Sequence, residues 1–144
     1  MSRRVAVYLL DTNVLSEIRK KQNANSGVQK FFERVVKAGE QVYLSVSTIG
    51  ELRRGVEMIQ HRGDGRQAKQ LDKWLGVVLS EYEDYLLEVD EDVAQLWGKL
   101  RVPHPENALD KQIAATAIIH GLTVVTRNAD DFLKTGVNVF NPFE

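Results

Sequence analysis

One stretch of sequence decides the fold class of this chain: Tyr8-Leu9-Leu10-Asp11-Thr12-Asn13. Residues 5–10 form an apolar run without alternation, which predicts a strand that is buried on both faces. Asp11 follows this run directly, and Thr12 and Asn13 can cap a helix that begins there. In open parallel α/β sheets, ligands bind beyond the carboxyl ends of the strands. Asp11 is therefore either a helix cap or part of a binding site.

Strand and helix patterns alternate along the rest of the chain. Further short strands are predicted at residues 42–46, 86–89, 122–126 and 137–140. Helical spacing of apolar residues predicts helices at residues 14–20, 28–38, 47–59, 71–82, 90–100 and 107–120, with a helical turn at 129–133. This alternation is typical of a parallel sheet that is covered on both faces. We therefore expect an α/β fold of three layers, with a central parallel sheet of about four or five strands flanked by helices.

Composition limits the chemistry that the chain can perform. Its 144 residues predict one domain over residues 1–144. The sequence has no cysteine, which excludes disulfides, a thiolate nucleophile and cysteine-based metal sites, and this fits a reducing cytoplasm. No apolar segment is long enough to span a bilayer, so we expect no membrane association. The net charge is −1, so nucleic-acid binding would need a local basic patch or a bound cation.

Charge is segregated along the sequence. Residues 19–37 contain six basic residues and one acidic residue, and residues 53–73 contain six basic and three acidic residues. Residues 81–92 contain seven acidic residues and no basic one. The two basic segments are candidate contacts for a nucleic-acid backbone, although solvated helix faces account for such runs equally well.

Three further acids follow predicted strands or begin predicted helices. Glu51 lies early in the helix after the second strand, and Asp131 lies just beyond the fourth strand. Asp110 lies in the first turn of an alanine-rich helix that follows a proline-containing loop. Each has an ordinary structural explanation when taken alone: a Thr48–Glu51 capping box, the dipole of the alanine-rich helix, and a cap for the last helical turn.

Taken together, the four acids predict a cation site. Carboxylates that cluster at one sheet edge repel one another and raise one another's pKa unless a cation neutralises them. Magnesium prefers oxygen ligands and bridges protein carboxylates to phosphates. Zinc is disfavoured because cysteine is absent and the three histidines show no ligand spacing.

The segments that carry these acids resemble the PIN-domain ribonucleases, and within that family the VapC toxins of toxin–antitoxin pairs. The matching segments are residues 9–13, 45–52, 109–117 and 125–132. The resemblance implies four catalytic acids, which are Asp11, Glu51, Asp110 and Asp131. It also implies that Thr126 and Asn128 support the site. We further expect Thr12 and Asn13 to support it by shaping the turn that aims Asp11.

The resemblance also implies a cofactor, a reaction and partners. Asp11 and Asp110 would be the principal ligands of Mg²⁺, with Mn²⁺ as a substitute, while Glu51 and Asp131 hold a second ion or waters. The implied reaction is hydrolysis of an RNA phosphodiester to a 5′ phosphate and a 3′ hydroxyl. The implied partners are the RNA substrate, a small cognate antitoxin and a second copy of the chain. The polar pair Lys111-Gln112 and the charged residues 61–73 depart from the family pattern without touching the acids.

Other functions stay open on sequence alone. A PIN-fold RNA-binding or RNA-processing protein that is not paired with an antitoxin would retain most of these acids. A haloacid-dehalogenase-type phosphatase would need a second Asp where Asn13 stands, and the paired Lys of a receiver domain has no clear counterpart. The apolar stripe from Leu71 to Tyr82 fits a core helix, a dimer surface or an antitoxin surface.

Overall fold

Five strands form one parallel sheet in this computed structural model, which describes residues 7–144. The strands are β1 (Val7–Leu10), β2 (Gln41–Ser45), β3 (Leu86–Leu87), β4 (Thr123–Val125) and β5 (Val139–Phe140). Their order across the sheet is β3-β2-β1-β4-β5. The predicted central parallel sheet is confirmed, with β5 at one edge. Residues 5 and 6 of the first predicted strand lie outside the described residues.

Helices cover both faces of this sheet and complete the predicted three layers. They are α1 (Thr12–Ile18), α2 (Ser26–Ala38), α3 (Val46–His61), α4 (Gly65–Glu81), α5 (Glu91–Leu100) and α6 (Ala108–His120). Short 3-10 helices lie at Lys21–Asn23, Glu83–Tyr85 and Ala129–Thr135. Gly39 and Gly121 end α2 and α6 in the left-handed conformation, as predicted. Among residues 7–144, no helix has the length and apolar character needed to cross a membrane.

β1 is the central strand of the sheet, with β2 on one side, β4 on the other and helices on each face. Leu9 aligns with Tyr43 of β2 and with Val124 of β4. Leu10 packs in the apolar cluster that involves α1 to α4, whereas Leu9 packs in the cluster that involves α6 and β4. Because successive side chains of a strand point to opposite faces, both layers require an apolar residue from β1. This explains why the run before Asp11 shows no polar alternation.

The start of α3 differs from the prediction. The helix begins at Val46, one residue early, because the Ser45 hydroxyl accepts a hydrogen bond from the Ser47 backbone N–H at 3.1 Å and caps it. Glu51 therefore lies in the second helical turn, and Thr48 is buried inside the helix. The expected Thr48–Glu51 capping box is wrong, which removes the ordinary structural explanation for Glu51.

The apolar stripe of α4 belongs mainly to the core. Leu75 and Val78 are buried in the cluster beneath α4, and Trp74 and Tyr82 pack partly buried against the same cluster. Leu79, in contrast, is exposed. Most of the stripe therefore packs against the core of this chain.

The segment after β4 is anchored by Phe132, which gives a direct test of the fold. Phe132 is fully buried, whereas the next residue, Leu133, is 66% exposed. We expect Phe132→Ala to lower the free energy of unfolding by about 3–5 kcal/mol, because it leaves a cavity beneath the 3-10 helix. Leu133→Ala, the matched control, should cost less than about 0.5 kcal/mol. Urea unfolding of the two variants measures the difference, and equal losses would contradict this placement of Phe132.

Candidate active site

The site is built around the carboxylate of Asp11, which lies just past β1 and is 5% exposed. Its Oδ1 accepts a hydrogen bond from the Thr12 backbone N–H at 2.8 Å. Its Oδ2 accepts from Thr126 Oγ1 at 2.8 Å and from Asn13 Nδ2 at 3.3 Å. Asp11 is also the N-cap residue of α1. The two interpretations of Asp11, helix cap and site residue, are therefore compatible.

Opposing effects act on the ionisation of Asp11. Burial raises the pKa of this carboxyl, and the three hydrogen bonds from Thr126, Thr12 and Asn13 oppose that shift. The nearby charge of Asp131 adds to the increase in the pKa. The net effect is a raised pKa, so the charged form of Asp11 is costly without a cation beside it.

Thr126 ties the ends of β1 and β4 together. Besides donating to Asp11, its Oγ1 accepts hydrogen bonds from Asn13 Nδ2 at 3.4 Å and from the Asn128 backbone N–H at 3.0 Å. Asn13 Oδ1 in turn accepts from the Arg127 backbone N–H at 3.0 Å. Because Thr126 is fully buried, this network fixes the turn after each strand.

Asp110 reaches the same cleft although its helix follows a loop. Its pKa is raised from 3.8 to about 6, chiefly by burial and then by the charges of Asp11, Asp131 and Glu51. The start of α6 is held by Trp97 of α5, whose Nε1 donates to the Ala108 carbonyl oxygen at 2.8 Å. A second contact runs from the buried Lys111 ammonium to the carbonyl oxygen of His104.

A side-chain contact joins α3 to α6 beside the acids. The Ser47 hydroxyl donates to Gln112 Oε1, one helical turn before Glu51 and two residues after Asp110. Gln112, which departs from the family pattern, therefore contacts the helix that carries Glu51 and not the acids themselves.

The acids share one open cleft at the carboxyl edge of the sheet, with one exception. A cleft of about 480 Å³ is lined by Asp11, Glu51 and Asp110, together with Thr12, Asn13 and Asn128. Asp131 is exposed and lines an adjoining cavity of about 300 Å³, which shares Asn128 with the cleft. Its charge nevertheless raises the pKa of both Asp11 and Asp110. The structure thus brings three of the predicted acids together and places the fourth beside them.

The donor set fits a hard divalent cation. Carboxylate oxygens are the ligands that Mg²⁺ prefers, and a cation would relieve the repulsion that raises the pKa of Asp110. In the part of the chain that the structure describes, no three Asp, Glu or His side chains are placed to hold one ion together. A pair of carboxylates remains sufficient, because Mg²⁺ usually keeps several waters and binds through one or two carboxylates.

Two cations that line the cleft were not predicted as site residues. Lys20 pairs with Glu17 at 3.0 Å, and both lie at the cleft. Arg127 lies between Thr126 and Asn128, and it also lines the cleft. Lys20 lies in the basic segment of residues 19–37, which was predicted only as a candidate contact for a nucleic-acid backbone. Only the position of Arg127 between two predicted site residues, Thr126 and Asn128, could have indicated that it lines the cleft.

Comparison with known proteins agrees with this geometry. A family model described as PIN domain matches residues 8–138. Toxin FitB of Neisseria gonorrhoeae is 37% identical over 95% of this chain and 99% of its own length. VapC ribonuclease Y4jK of Sinorhizobium fredii is 30% identical over 96% of this chain and 99% of its own. The crystal structure of FitAcB from Neisseria gonorrhoeae superposes with a TM-score of 0.79 at 35% identity, covering 94% of this chain and 97% of that one. The chain belongs to the PIN-domain family, and within it to the VapC-type toxins.

Proposed function

We propose that this protein is a magnesium-dependent endoribonuclease and the toxin of a toxin–antitoxin pair. One observation carries the proposal: Asp11, Glu51 and Asp110 come from three separate elements and line one open cleft, with Asp131 beside it. The relatives named as a toxin and as a ribonuclease support this function over that of an RNA-binding protein without an antitoxin.

Asp11 and Asp110 would hold Mg²⁺, and Mn²⁺ could replace it because both accept oxygen ligands. Glu51 and Asp131 would hold a second ion or bound waters. When bound, a divalent cation supplies an activated water and offsets charge on the phosphate oxygens. Attack of water on phosphorus with departure of the 3′ oxygen gives a 5′ phosphate and a 3′ hydroxyl.

The chain's own residues orient the first ligand. Thr126, Asn13 and the Thr12 backbone occupy three lone-pair directions of the Asp11 carboxylate and leave the remaining direction free. Because Thr12 and Asn13 begin α1 and Thr126 directly follows β4, the carboxylate cannot rotate without breaking contacts to both segments. Thr12, Asn13, Thr126 and Asn128 thus act by positioning Asp11 and the turns beside it.

The proposal includes protein partners. The relative FitB is named as a toxin and is found in the FitAcB structure, which supports a small antitoxin for this chain. An exposed apolar cavity of about 600 Å³ on α2, lined by Phe32 and Val36, is the type of surface that protein partners cover. A homodimer, a cytoplasmic location and one domain over residues 1–144 belong to the same proposal.

The decisive experiment induces this chain in cells with and without the small protein encoded beside its gene and maps new RNA 5′ ends. We expect growth arrest and new 5′ ends that the neighbouring protein suppresses. Cleavage by the purified protein should require Mg²⁺ and stop in EDTA. Binding of RNA without cleavage would support the alternative function, and an absence of both arrest and new ends would contradict the toxin assignment.

The carboxylate of Asp11 gives the first test of the site. We expect Asp11→Asn to lower cleavage by about a hundredfold or more, because the variant loses a charged metal ligand. Folding should persist, since the amide keeps an oxygen for the Thr12 N–H. Asp131→Asn should weaken cleavage as well, because the variant loses a carboxylate that would hold a second ion or bound waters. Asp130→Asn, one residue away, is the matched control and should be near wild type; a reversed order would assign the acid to Asp130.

The raised pKa of Asp110 predicts that this carboxylate lowers the stability of the metal-free protein and that Mg²⁺ binding restores it. The folded pKa is about 6 against an ordinary value of 3.8, so the charged carboxylate costs stability above about pH 6, and the cost disappears as the pH falls toward 4. In EDTA near pH 7.5, Asp110→Asn should raise the free energy of unfolding by about 1 kcal/mol, a value discounted because the residue is partly exposed.

Urea unfolding measures this gain, which should shrink at about pH 4.5. Added Mg²⁺ should stabilise the wild-type protein and leave Asp110→Asn unchanged, because binding to the folded state alone adds stability. A variant that is less stable than wild type in EDTA at both pH values would show that the carboxylate is not under this repulsion.

A further inference from the structure

Arg127 differs from the other cation at the cleft because it forms no salt bridge in the part of the chain that the structure describes. Lys20 is paired with Glu17, whereas Arg127 forms no ion pair with any carboxylate of residues 7–144. Its charge is the smallest of the causes that lower the pKa of Glu17, and it is absent from the causes that shift the pKa of Asp11 and Asp110. The guanidinium therefore lines a cleft of acids without neutralising the two principal acids, and its donors remain available to an anion.

The position of Arg127 is fixed by an aromatic ring and by backbone contacts. Its Cζ lies 4.9 Å from the centroid of the Phe143 ring. Its backbone N–H donates to Asn13 Oδ1 at 3.0 Å, and its carbonyl oxygen accepts from Asn141 Nδ2 at 3.5 Å. Stacking on an aromatic face leaves the edge of a guanidinium free to donate hydrogen bonds.

Residues 141–144 are held by the amino-terminal end of α2. The Glu144 backbone N–H donates to Asn25 Oδ1 at 3.1 Å, and Asn25 Nδ2 donates to the Glu144 carbonyl oxygen at 2.9 Å. Ser26 and Lys30 both donate to Glu144 Oε2. A Cβ added at Gly27 would lie 2.0 Å from the Pro142 carbonyl oxygen, so this close approach requires glycine. None of these contacts involves an acid of the cleft.

We propose that Arg127 binds a backbone phosphate of the RNA strand beside the cleaved linkage, and that residues 141–144 hold Arg127 for this task through Phe143. Arginine presents a planar pair of donors that matches two phosphate oxygens. An acidic cleft repels a polyanion, and an unpaired cation at its edge offsets that repulsion. Arg127 is thus a substrate-binding residue and Phe143 a positioning residue. Phe143 lies beyond the residues that the family model matches.

This inference rests on the proposed function, so its test includes binding as well as cleavage. The probe is a fluorescent single-stranded oligoribonucleotide, whose anisotropy is followed with metal-free wild-type protein and variants in EDTA over a range of salt. Arg127→Gln should raise KM and the dissociation constant about tenfold and leave kcat within about threefold, because one charge-assisted contact is lost. The slope of the logarithm of affinity against the logarithm of salt should fall by about 0.7, the value for one phosphate contact on a single strand. Lys99→Gln removes one exposed charge outside the cleft and serves as the matched control.

The positioning role has its own variants. Phe143→Leu keeps apolar packing and removes the aromatic face, while Phe143→Tyr keeps that face and should behave as wild type. Gly27→Ala displaces residues 141–144 without touching Arg127 or Phe143, and Gly76→Ala, in a helix with free space for a Cβ, is its control. Phe143→Leu and Gly27→Ala should each raise KM and the dissociation constant severalfold at unchanged kcat. Phe143→Leu tests the same contact should Gly27→Ala fail to fold.

The outcomes separate the two proposals. If the wild-type protein cleaves RNA and Arg127→Gln binds it with the affinity and salt dependence of Lys99→Gln, the role of Arg127 is wrong. If Arg127→Gln weakens binding while Phe143→Leu and Gly27→Ala do not, the positioning role of residues 141–144 is wrong. A wild-type protein that neither cleaves nor binds RNA overturns the proposed function itself.

Discussion

The hydrogen bond from Thr126 Oγ1 to Asp11 Oδ2, 2.8 Å long, joins the ends of the two strands at the centre of the sheet. Both groups are almost completely buried, so each would carry a large desolvation cost without the other. The bond can form only if β1 and β4 are adjacent and parallel in the observed register. The same contact that satisfies a buried carboxylate thus requires the correct sheet order and aims the carboxylate into the cleft.

Four carboxylates lie around this contact, and none of them forms a salt bridge with a cation of residues 7–144. Asp110 has a pKa near 6 because burial and three other acids act on it together. Lys20, which lines the cleft, forms a salt bridge with Glu17 and not with any of these four acids. Repulsion between neighbouring carboxylates is expected at a binding site, because a bound cation can neutralise the charge that the protein itself leaves unpaired.

The sequence predicted the sheet and the helix ends at Gly39 and Gly121, because these depend on local pattern. The four acids were predicted as one catalytic set from the family resemblance. An apolar run without polar alternation predicts a strand that is buried on both faces, and a glycine after a helix predicts a left-handed helix end. The start of α3 was missed by one residue, since Ser45, Ser47 and Thr48 are all good caps and only the observed backbone path shows which of them is used. The sequence also could not predict whether the apolar stripe of α4 packs in the core or against a partner, because an apolar helix face fits either environment.

What the sequence determined by itself was the alternation of strands and helices and the placement of Asp11, Glu51 and Asp131 near element ends, because short-range periodicity encodes both. Only the tertiary structure decided that Asp110 reaches the cleft, since a hydrogen bond from Trp97 to Ala108 orients the helix that carries it. The tertiary structure alone also placed Phe143 against Arg127, sixteen residues earlier in the chain. Contacts between segments that are distant in the sequence depend on how helices and strands pack in three dimensions, and the short-range sequence pattern does not predict that packing.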